Sequence, residues 1–305
     1  MLTESQLKQL QKANYRMFGK NMHSAVKLCH WCKESIKTGE KRVCYKQKFY
    51  GIKSHRCLQM TPCLPICNLG CKYCWRDQSY FTRKWEGDID KAEEIIEGSI
   101  EAQRALLTGL GGVEHDKRCL EEAKDPNQVA ISLDGEPTMY PYISDLVNGY
   151  NKRGFTTFLV TNGNFPEVLT RFETLPTNLY LSLSSTSEKM FNQLQNLVSM
   201  GSWNNVQKTL ELFNELKTTR VIRLTLIKGI NMIEPEKYAE LIKIANPDYI
   251  EAKAYMHIGA SINRLEFEHM PTHDEVKEFA QKVADYSGYT ISNEQKESRV
   301  VLLKK

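Results

Sequence analysis

Cys67-Asn68-Leu69-Gly70-Cys71-Lys72-Tyr73-Cys74-Trp75 decides how the rest of the chain reads, because it brings three cysteines into one short loop and no fourth. A closed structural zinc site takes four protein ligands, and an ordinary [4Fe-4S] cluster takes four thiolates. Three thiols at x3-then-x2 spacing let a tight loop ligate three irons of a cubane and leave the fourth iron open to a small molecule. That pattern marks a chemical site rather than a structural staple. The competing reading is half of a zinc ribbon, with Cys71 and Cys74 as its C-x2-C pair.

Residues farther along favour the first reading. Val129-Ala130-Ile131-Ser132-Leu133 reads as a buried strand running into Asp134-Gly135-Glu136-Pro137-Thr138. A glycine at a strand end lets backbone approach a ligand closely, and Glu136 can accept from an ammonium group. Alone, Gly-Glu-Pro is only a turn signal. Phe158-Leu159-Val160-Thr161-Asn162-Gly163 repeats the arrangement, and Tyr180-Leu181-Ser182-Leu183-Ser184 does so a third time. For Asn162 and Ser184, turn capping explains the residue as well as ligand contact does.

Strands and helices alternate from residue 57 onward. Strands are expected at 55–60, 128–133, 157–160, 179–183, 221–227 and 249–253, with helices at 89–107, 141–153, 166–172, 206–216 and 235–244. Repeated strand–helix–strand units imply a parallel sheet with helices outside. Six such units are too few for an eight-stranded barrel, so the expected fold is α/β, a partial (β/α)6 TIM-like barrel with its ligands at the carboxyl ends of the strands. A helix at 272–286 and a strand at 299–303 follow. Residues 1–56 stand apart as an extension: a helix at 4–16, then an irregular, cysteine-bearing segment, ahead of a core at 57–305.

The 305 residues are 41% hydrophobic and 26% charged, an ordinary soluble composition. No apolar run of about eighteen residues occurs and the first residues lack a signal-peptide core, so no membrane is expected and the cytoplasm is the expected compartment. Nine cysteines, an odd count, suit metal better than a disulfide framework. Residues 1–60 carry thirteen Lys or Arg against three Glu, a balance of +10; the whole chain is +4, which leaves −6 for the rest. Such a basic block, interleaved with Tyr15, Phe18, Trp31, Tyr45, Phe49 and Tyr50, suits a polyanion whose bases can stack, whereas the bland reading is a solvated lysine-rich face. Ahead of the loop stand Cys29, Cys32, Cys44, Cys57 and Cys63. Spacing alone leaves a second iron–sulfur cluster, a zinc site and free thiols all open.

The three-cysteine loop followed by Gly135-Glu136 resembles the radical S-adenosylmethionine (SAM) superfamily. That resemblance implies a [4Fe-4S] cluster on Cys67, Cys71 and Cys74, with Tyr73 against the adenine of SAM, Gly135 and Glu136 at its amino group, and Asn162 and Ser184 as further contacts. Lys27-Leu28-Cys29-His30-Trp31, Cys44-Tyr45-Lys46, Phe49-Tyr50-Gly51-Ile52, Ser54-His55-Arg56-Cys57, Glu251-Ala252-Lys253-Ala254-Tyr255 and Arg299-Val300-Val301-Leu302-Leu303 resemble the tRNA 4-demethylwyosine synthase family more narrowly. Motif by motif, the resemblance assigns a second [4Fe-4S] cluster to Cys29, Cys44 and Cys57, with Cys32 as the rival to Cys29, and leaves Cys63 and Cys119 as free thiols.

What the family does is then expected here. N1-methylguanosine at position 37 of tRNA-Phe, in the anticodon loop, condenses with pyruvate to give 4-demethylwyosine. Reductive cleavage of SAM releases a 5′-deoxyadenosyl radical, which takes a hydrogen from the methyl group; the carbon radical adds to pyruvate, and two pyruvate carbons are retained. Pyruvate is expected either at the open iron of the second cluster or as a Schiff base on Lys46, for which a phosphate contact is the plainer role. The chain resembles the shorter archaeal form without a flavodoxin-like domain, which implies an external electron donor; a monomer is expected. Two other functions compete: a radical SAM activating enzyme acting on a partner protein, and a zinc-binding RNA-binding protein without catalysis.

Overall fold

The computed structural model describes residues 2–305, which divide into two compact units. The first takes in everything up to Cys67, then Tyr80–Val160 and Arg171–Thr177. Its elements are α1 (Glu4–Lys12), β1 (Arg16–Phe18), β2 (Ser24–Val26), α2 (His30–Thr38), α3 (Tyr45–Tyr50), β3 (Cys57–Thr61), α4 (Ala92–Thr108), α5 (Lys117–Ala123), β4 (Gln128–Ile131), α6 (Ile143–Lys152) and β5 (Thr156–Thr161). The strands lie in the order β1-β2-β3-β4-β5. β3, β4 and β5 run parallel, with Leu58 opposite Val129 and Val129 opposite Thr157, and β2 joins them antiparallel through Ala25 and Thr61. All four residues of β4 are buried, as a parallel strand covered on both faces requires. On α4 the buried positions Ala92, Ile95, Ile96, Ser99, Ala102 and Gln103 recur every three or four residues, the stripe of a helix laid on a core.

The amino-terminal segment is more ordered than its sequence suggests. The first helix stops at Lys12, four residues short of expectation, where Asn14 takes a positive φ of 61°. Two three-residue strands and two short helices then replace the expected irregular run. Strands of three residues are too short to display an alternating pattern, which is why the sequence hides them.

The second unit holds Asn68–Ser79, Thr161–Thr170 and Asn178–Lys305. It contains α7 (Pro166–Leu169), β6 (Asn178–Ser182), α8 (Glu188–Leu194), α9 (Trp203–Phe213), β7 (Thr219–Leu226), α10 (Pro235–Ala245), β8 (Tyr249–Ala254), α11 (His273–Ser287), β9 (Thr290–Gln295) and β10 (Val300–Lys304). The order is β6-β7-β8-β10-β9, with β6, β7 and β8 parallel and β10 antiparallel to both neighbours. The two units thus contribute three parallel strands each, the six that the alternation predicts, in a mixed α/β fold. β9 escapes a sequence reading because its residues are polar and half-exposed. Among the described residues, no helix is long and apolar enough to cross a membrane.

One charged cluster interrupts the apolar interior of the second unit. Arg223 on β7 lies in register with Glu251 on β8, and Glu251 is fully buried. Its carboxylate accepts from Arg223 Nε at 2.9 Å, from Nη2 at 2.8 Å and from the Tyr180 hydroxyl on β6 at 2.9 Å, while the guanidinium stands 4.7 Å from the centre of the Tyr180 ring. Removing one partner of a buried pair strands the other, at a cost of about 3–5 kcal/mol. Glu251→Ala is therefore expected to lose stability on that scale in urea denaturation, and an Arg223→Met/Glu251→Leu double variant to recover most of it. A single variant as stable as the parent would show the pair to be energetically idle.

Candidate active site and cysteine centres

The loop after β3 is fixed in the first unit by backbone proximity. Gly135, just past β4, has φ of +68°, and a Cβ there would stand 2.3 Å from the carbonyl oxygen of Cys63 and 2.5 Å from that of Ile66. No other residue fits. Thr61 Oγ1 donates to the carbonyl of Asp134 at 2.6 Å, and Glu136 N to that of Ile66 at 2.8 Å, so the end of β4 is tied to the start of the loop. Cys67 N donates to Thr82 O at 3.2 Å and Arg83 Nη1 to Cys67 O at 2.6 Å. Glu136 is 2% exposed, and its Oε1 accepts from Thr138 N and Oγ1 at 3.1 and 2.6 Å. Cys63 is buried beside it; burial first, then the Glu136 charge, push its thiol well above the usual range, which suits a neutral packing residue.

The second unit holds the remainder of the loop. Gly70 N donates to Gln195 O at 3.1 Å and Lys72 N to Leu194 O at 2.9 Å, at the end of α8. Arg264 reaches back nearly two hundred residues, donating to Lys72 O at 3.1 Å and to Cys74 O. Asn162, past the end of β5, donates through Nδ2 to Asn68 Oδ1 at 2.8 Å and accepts from Asn164 N at 3.0 Å. The Tyr73 ring packs on the cluster of Leu194, Ile227, Tyr255 and Leu265. Burial, then the Cys71 charge, push its hydroxyl well up, and that hydroxyl bonds Ser184. Tyr73 and Ser184, singled out separately, therefore touch. Trp75 is 42% exposed, with the Arg76 guanidinium 3.6 Å from its ring centre; its carbonyl accepts from Ala260 N at 3.0 Å.

Sequence reasoning misses Asn68 and Arg264. Asn68 stands next to Cys67 and gave a signal only by position, whereas Arg264 gave none. Several backbone groups of the loop are occupied by these bonds, and Cys67, Cys71 and Cys74 form no disulfide and are partly exposed. Thiols are the donors that an iron–sulfur cluster takes.

A second set of thiols gathers in the first unit. Cys29 and Cys44 are the N-cap residues of α2 and α3: Cys29 Sγ accepts from Cys32 N at 3.2 Å and Cys44 Sγ from Lys46 N at 3.5 Å. Cys57 opens β3. Burial pushes Cys57 up most, the neighbouring Cys29 and Cys44 add to it, and the Lys46 charge pulls the other way. Such mutual raising is what cation coordination relieves, so Cys29, Cys44 and Cys57, all partly exposed, fit a three-thiolate metal group. Cys32 is fully buried behind them, its Sγ 3.6 Å from His55 O. Lys46 is only 7% exposed, and its Nζ stands 4.1 Å from the centre of the Phe158 ring on β5.

An ion network backs this site. His55, fully buried two residues before Cys57, bonds Glu122 Oε2 through Nε2 at 2.6 Å. Arg118 bridges Glu122 at 2.9 Å and Glu40 at 2.8 Å, and Lys53 and Gln47 each reach Glu40 at 3.0 Å. Cys119 is buried, with a thiol pushed up to about 11, first by burial.

Family models match most of the chain: residues 61–242 match the radical SAM superfamily and residues 244–305 match wyosine base formation. The S-adenosyl-L-methionine-dependent tRNA 4-demethylwyosine synthase of Pyrococcus abyssi is 48% identical over 298 residues, 96% of this chain and 86% of that protein. Its counterpart in Pyrococcus horikoshii is 47% identical over the same coverage. A solved structure of TYW1 with a lysine-pyruvate adduct bound superposes with a TM-score of 0.88 at 35% identity, covering 100% of this chain and 96% of that one.

The ion network predicts a pH dependence. Burial raises the Glu40 carboxyl, but hydrogen bonds from Arg118, Lys53 and Gln47 outweigh it and hold the group at about 2 against an ordinary 4.5. A depressed carboxyl stabilises the fold above its unfolded value and loses that contribution as pH falls toward the folded one. Glu40→Gln should lower the melting temperature by about 3–6 °C at pH 7, the scale of ~1–2 kcal/mol after allowing for solvent screening. The gap should narrow as pH drops through 4.5 toward 2. A gap that stays constant over that range would rule out Glu40 as its source.

Proposed function

The chain belongs to the tRNA 4-demethylwyosine synthase family of radical SAM enzymes, and from that premise we propose how its own residues divide the work. It is a radical SAM enzyme of wyosine-base formation that modifies a tRNA and uses a [4Fe-4S] cluster with SAM. The finer reading is that N1-methylguanosine at position 37 of tRNA-Phe condenses with pyruvate to give 4-demethylwyosine. Cys67, Cys71 and Cys74 hold the SAM-binding cluster, and Cys29, Cys44 and Cys57 hold a second one. When bound, the first cluster and SAM supply one-electron chemistry, reductive cleavage of the sulfonium and abstraction of a hydrogen atom from the N1-methyl group.

The protein's residues supply placement. Gly135 lets the end of β4 meet the loop, and Glu136, held by Thr138, offers the SAM ammonium an anionic acceptor. Asn162 and Ser184 stand past β5 and β6, where polar groups of the cofactor are to be met. Lys46 takes the pyruvate. Its ammonium gives up a proton, the neutral amine adds to the ketone carbon, and the carbon–oxygen bond then breaks as a carbon–nitrogen double bond forms; the lost proton and a second nitrogen hydrogen leave with the oxygen as water, so the product is the iminium. Desolvation of Lys46 beside the thiol trio carries this assignment, since a buried amine is a competent nucleophile. The lysine-pyruvate adduct of the solved relative supports it. The basic first sixty residues steer the anticodon loop electrostatically, and exposed Trp75, backed by Arg76, offers an unstacked base a platform.

Anaerobic incubation with SAM, dithionite, pyruvate and methylated tRNA, followed by nucleoside mass spectrometry, is expected to yield the tricyclic base, and none with Lys46→Arg. Borohydride with labelled pyruvate should tag Lys46; a tag elsewhere or nowhere removes the imine assignment. Iron should number about eight per chain, falling to about four when Cys29, Cys44 and Cys57 are all replaced by serine, since each cubane holds four. Zinc in its place would reject the second cluster. Affinity for tRNA should fall with salt at about −0.7 per phosphate contact in a log–log plot, and a flat plot would remove the electrostatic role of the first sixty residues.

A further inference from the structure

We infer that Phe158 is a positioning residue for the reactive lysine, its ring face holding the Lys46 nitrogen where a ketone can be attacked and stabilising the cationic imine that results. The inference rests on the assignment of pyruvate to Lys46 and names a residue that this assignment does not require. Lys46 and Tyr50 are four residues apart on α3 and so share one face of that helix. That face is turned to β5: Lys46 Nζ lies 4.1 Å from the Phe158 ring centre, and the Tyr50 ring centre lies 6.3 Å from it at 51°. Phe158 is fully buried in mid-strand, where neither the ring nor the strand can give way. Its in-register neighbour on β4 is Ala130, and the next along the row, on β3, is Gln59. In a parallel sheet these three share a face, and Ala130 is the smallest side chain of the row.

A cation is attracted to the face of an aromatic ring, most strongly where water is excluded. The nitrogen attacks as a neutral amine and becomes a cationic iminium, so a ring face beside it favours the adduct over the attacking form. The ring also offers no lone pair, so its hold on the nitrogen adds no hydrogen bond that the incoming ketone would have to break. A leucine would fill much of the space without attracting a cation, and a ring stripped of electron density would keep the shape while reversing the attraction.

The test uses iron-reconstituted protein with pentafluorophenylalanine placed at position 158, alongside Phe158→Leu and Phe158→Tyr. Labelled pyruvate is titrated, the imine is trapped with cyanoborohydride, and the Lys46 peptide is quantified by mass spectrometry, with thermal melting as a check on folding. The half-saturating pyruvate concentration should rise about tenfold for the pentafluoro and leucine proteins, the scale of a desolvated cation–ring contact, and stay within about twofold for tyrosine. Trapping by the pentafluoro protein with the parent's dependence overturns the role of Phe158 while leaving Lys46 intact. Absence of any Lys46 adduct in the parent overturns the lysine assignment itself, and this inference with it.

Discussion

Backbone that comes too close for any side chain fixes the cluster loop. At Gly135 a methyl group would sit inside van der Waals contact of two carbonyl oxygens at once, those of Cys63 and Ile66, and backbone cannot swing aside as a side chain can. The loop start is therefore held against the end of β4, and Glu136 follows directly with its own amide bonded to Ile66 O. Glu136 and the start of the three-cysteine loop are thus set by one contact. Strand-end glycine is a mechanical requirement of this site before it is a chemical one.

The second thiol set obeys a different constraint. The first turn of a helix leaves N–H groups without partners, and side chains of Ser, Thr, Asp or Asn usually meet them. Here two cysteines take that position, at α2 and α3, and each sulfur accepts an amide. A sulfur is a weak acceptor when neutral and a better one as thiolate, so the same bonds that cap the helices favour the thiolate. The network of His55, Glu122, Arg118 and Glu40 then steadies the turn that leads into Cys57. Glu40, His55 and Cys119 lie close enough to hold an ion of their own, but Arg118, Lys53 and Gln47 already occupy the Glu40 carboxylate. That corner is an ion network rather than a metal site.

Much of this was legible because it is local. Strands that end in Gly135-Glu136, in Asn162 and near Ser184 announce themselves by an apolar run giving way to polar turn residues, and the six parallel strands follow from simple alternation. The unreadable parts are those in which distant segments meet. Arg264 binds the carbonyls of Lys72 and Cys74, yet nothing within its own stretch distinguishes it from any surface arginine. Cys29 and Cys32 lie too close in sequence for spacing to tell them apart. The fold separates them by burial, Cys32 lying fully enclosed and Cys29 partly open, a distinction that two positions on one helical turn cannot express in sequence.

Burial bears on the two roles that the sequence allows for Lys46. A lysine that grips phosphate keeps its ammonium in water, because its long stem lets the head reach solvent and a polyanion meets it there. Lys46 does the opposite: it is 7% exposed, set on a short helix whose start is occupied by a cysteine cap, with its nitrogen against an aromatic face. Enclosing an ammonium is costly unless something compensates it, and a site whose only task was affinity for RNA would gain nothing by accepting that cost. The Phe158 ring supplies part of the compensation, and the sulfurs of Cys29 and Cys57 lie within electrostatic reach of the lysine. What such an arrangement favours is a nitrogen held still, screened from water and close to three thiols, conditions that suit the carbonyl substrate proposed above better than a phosphate.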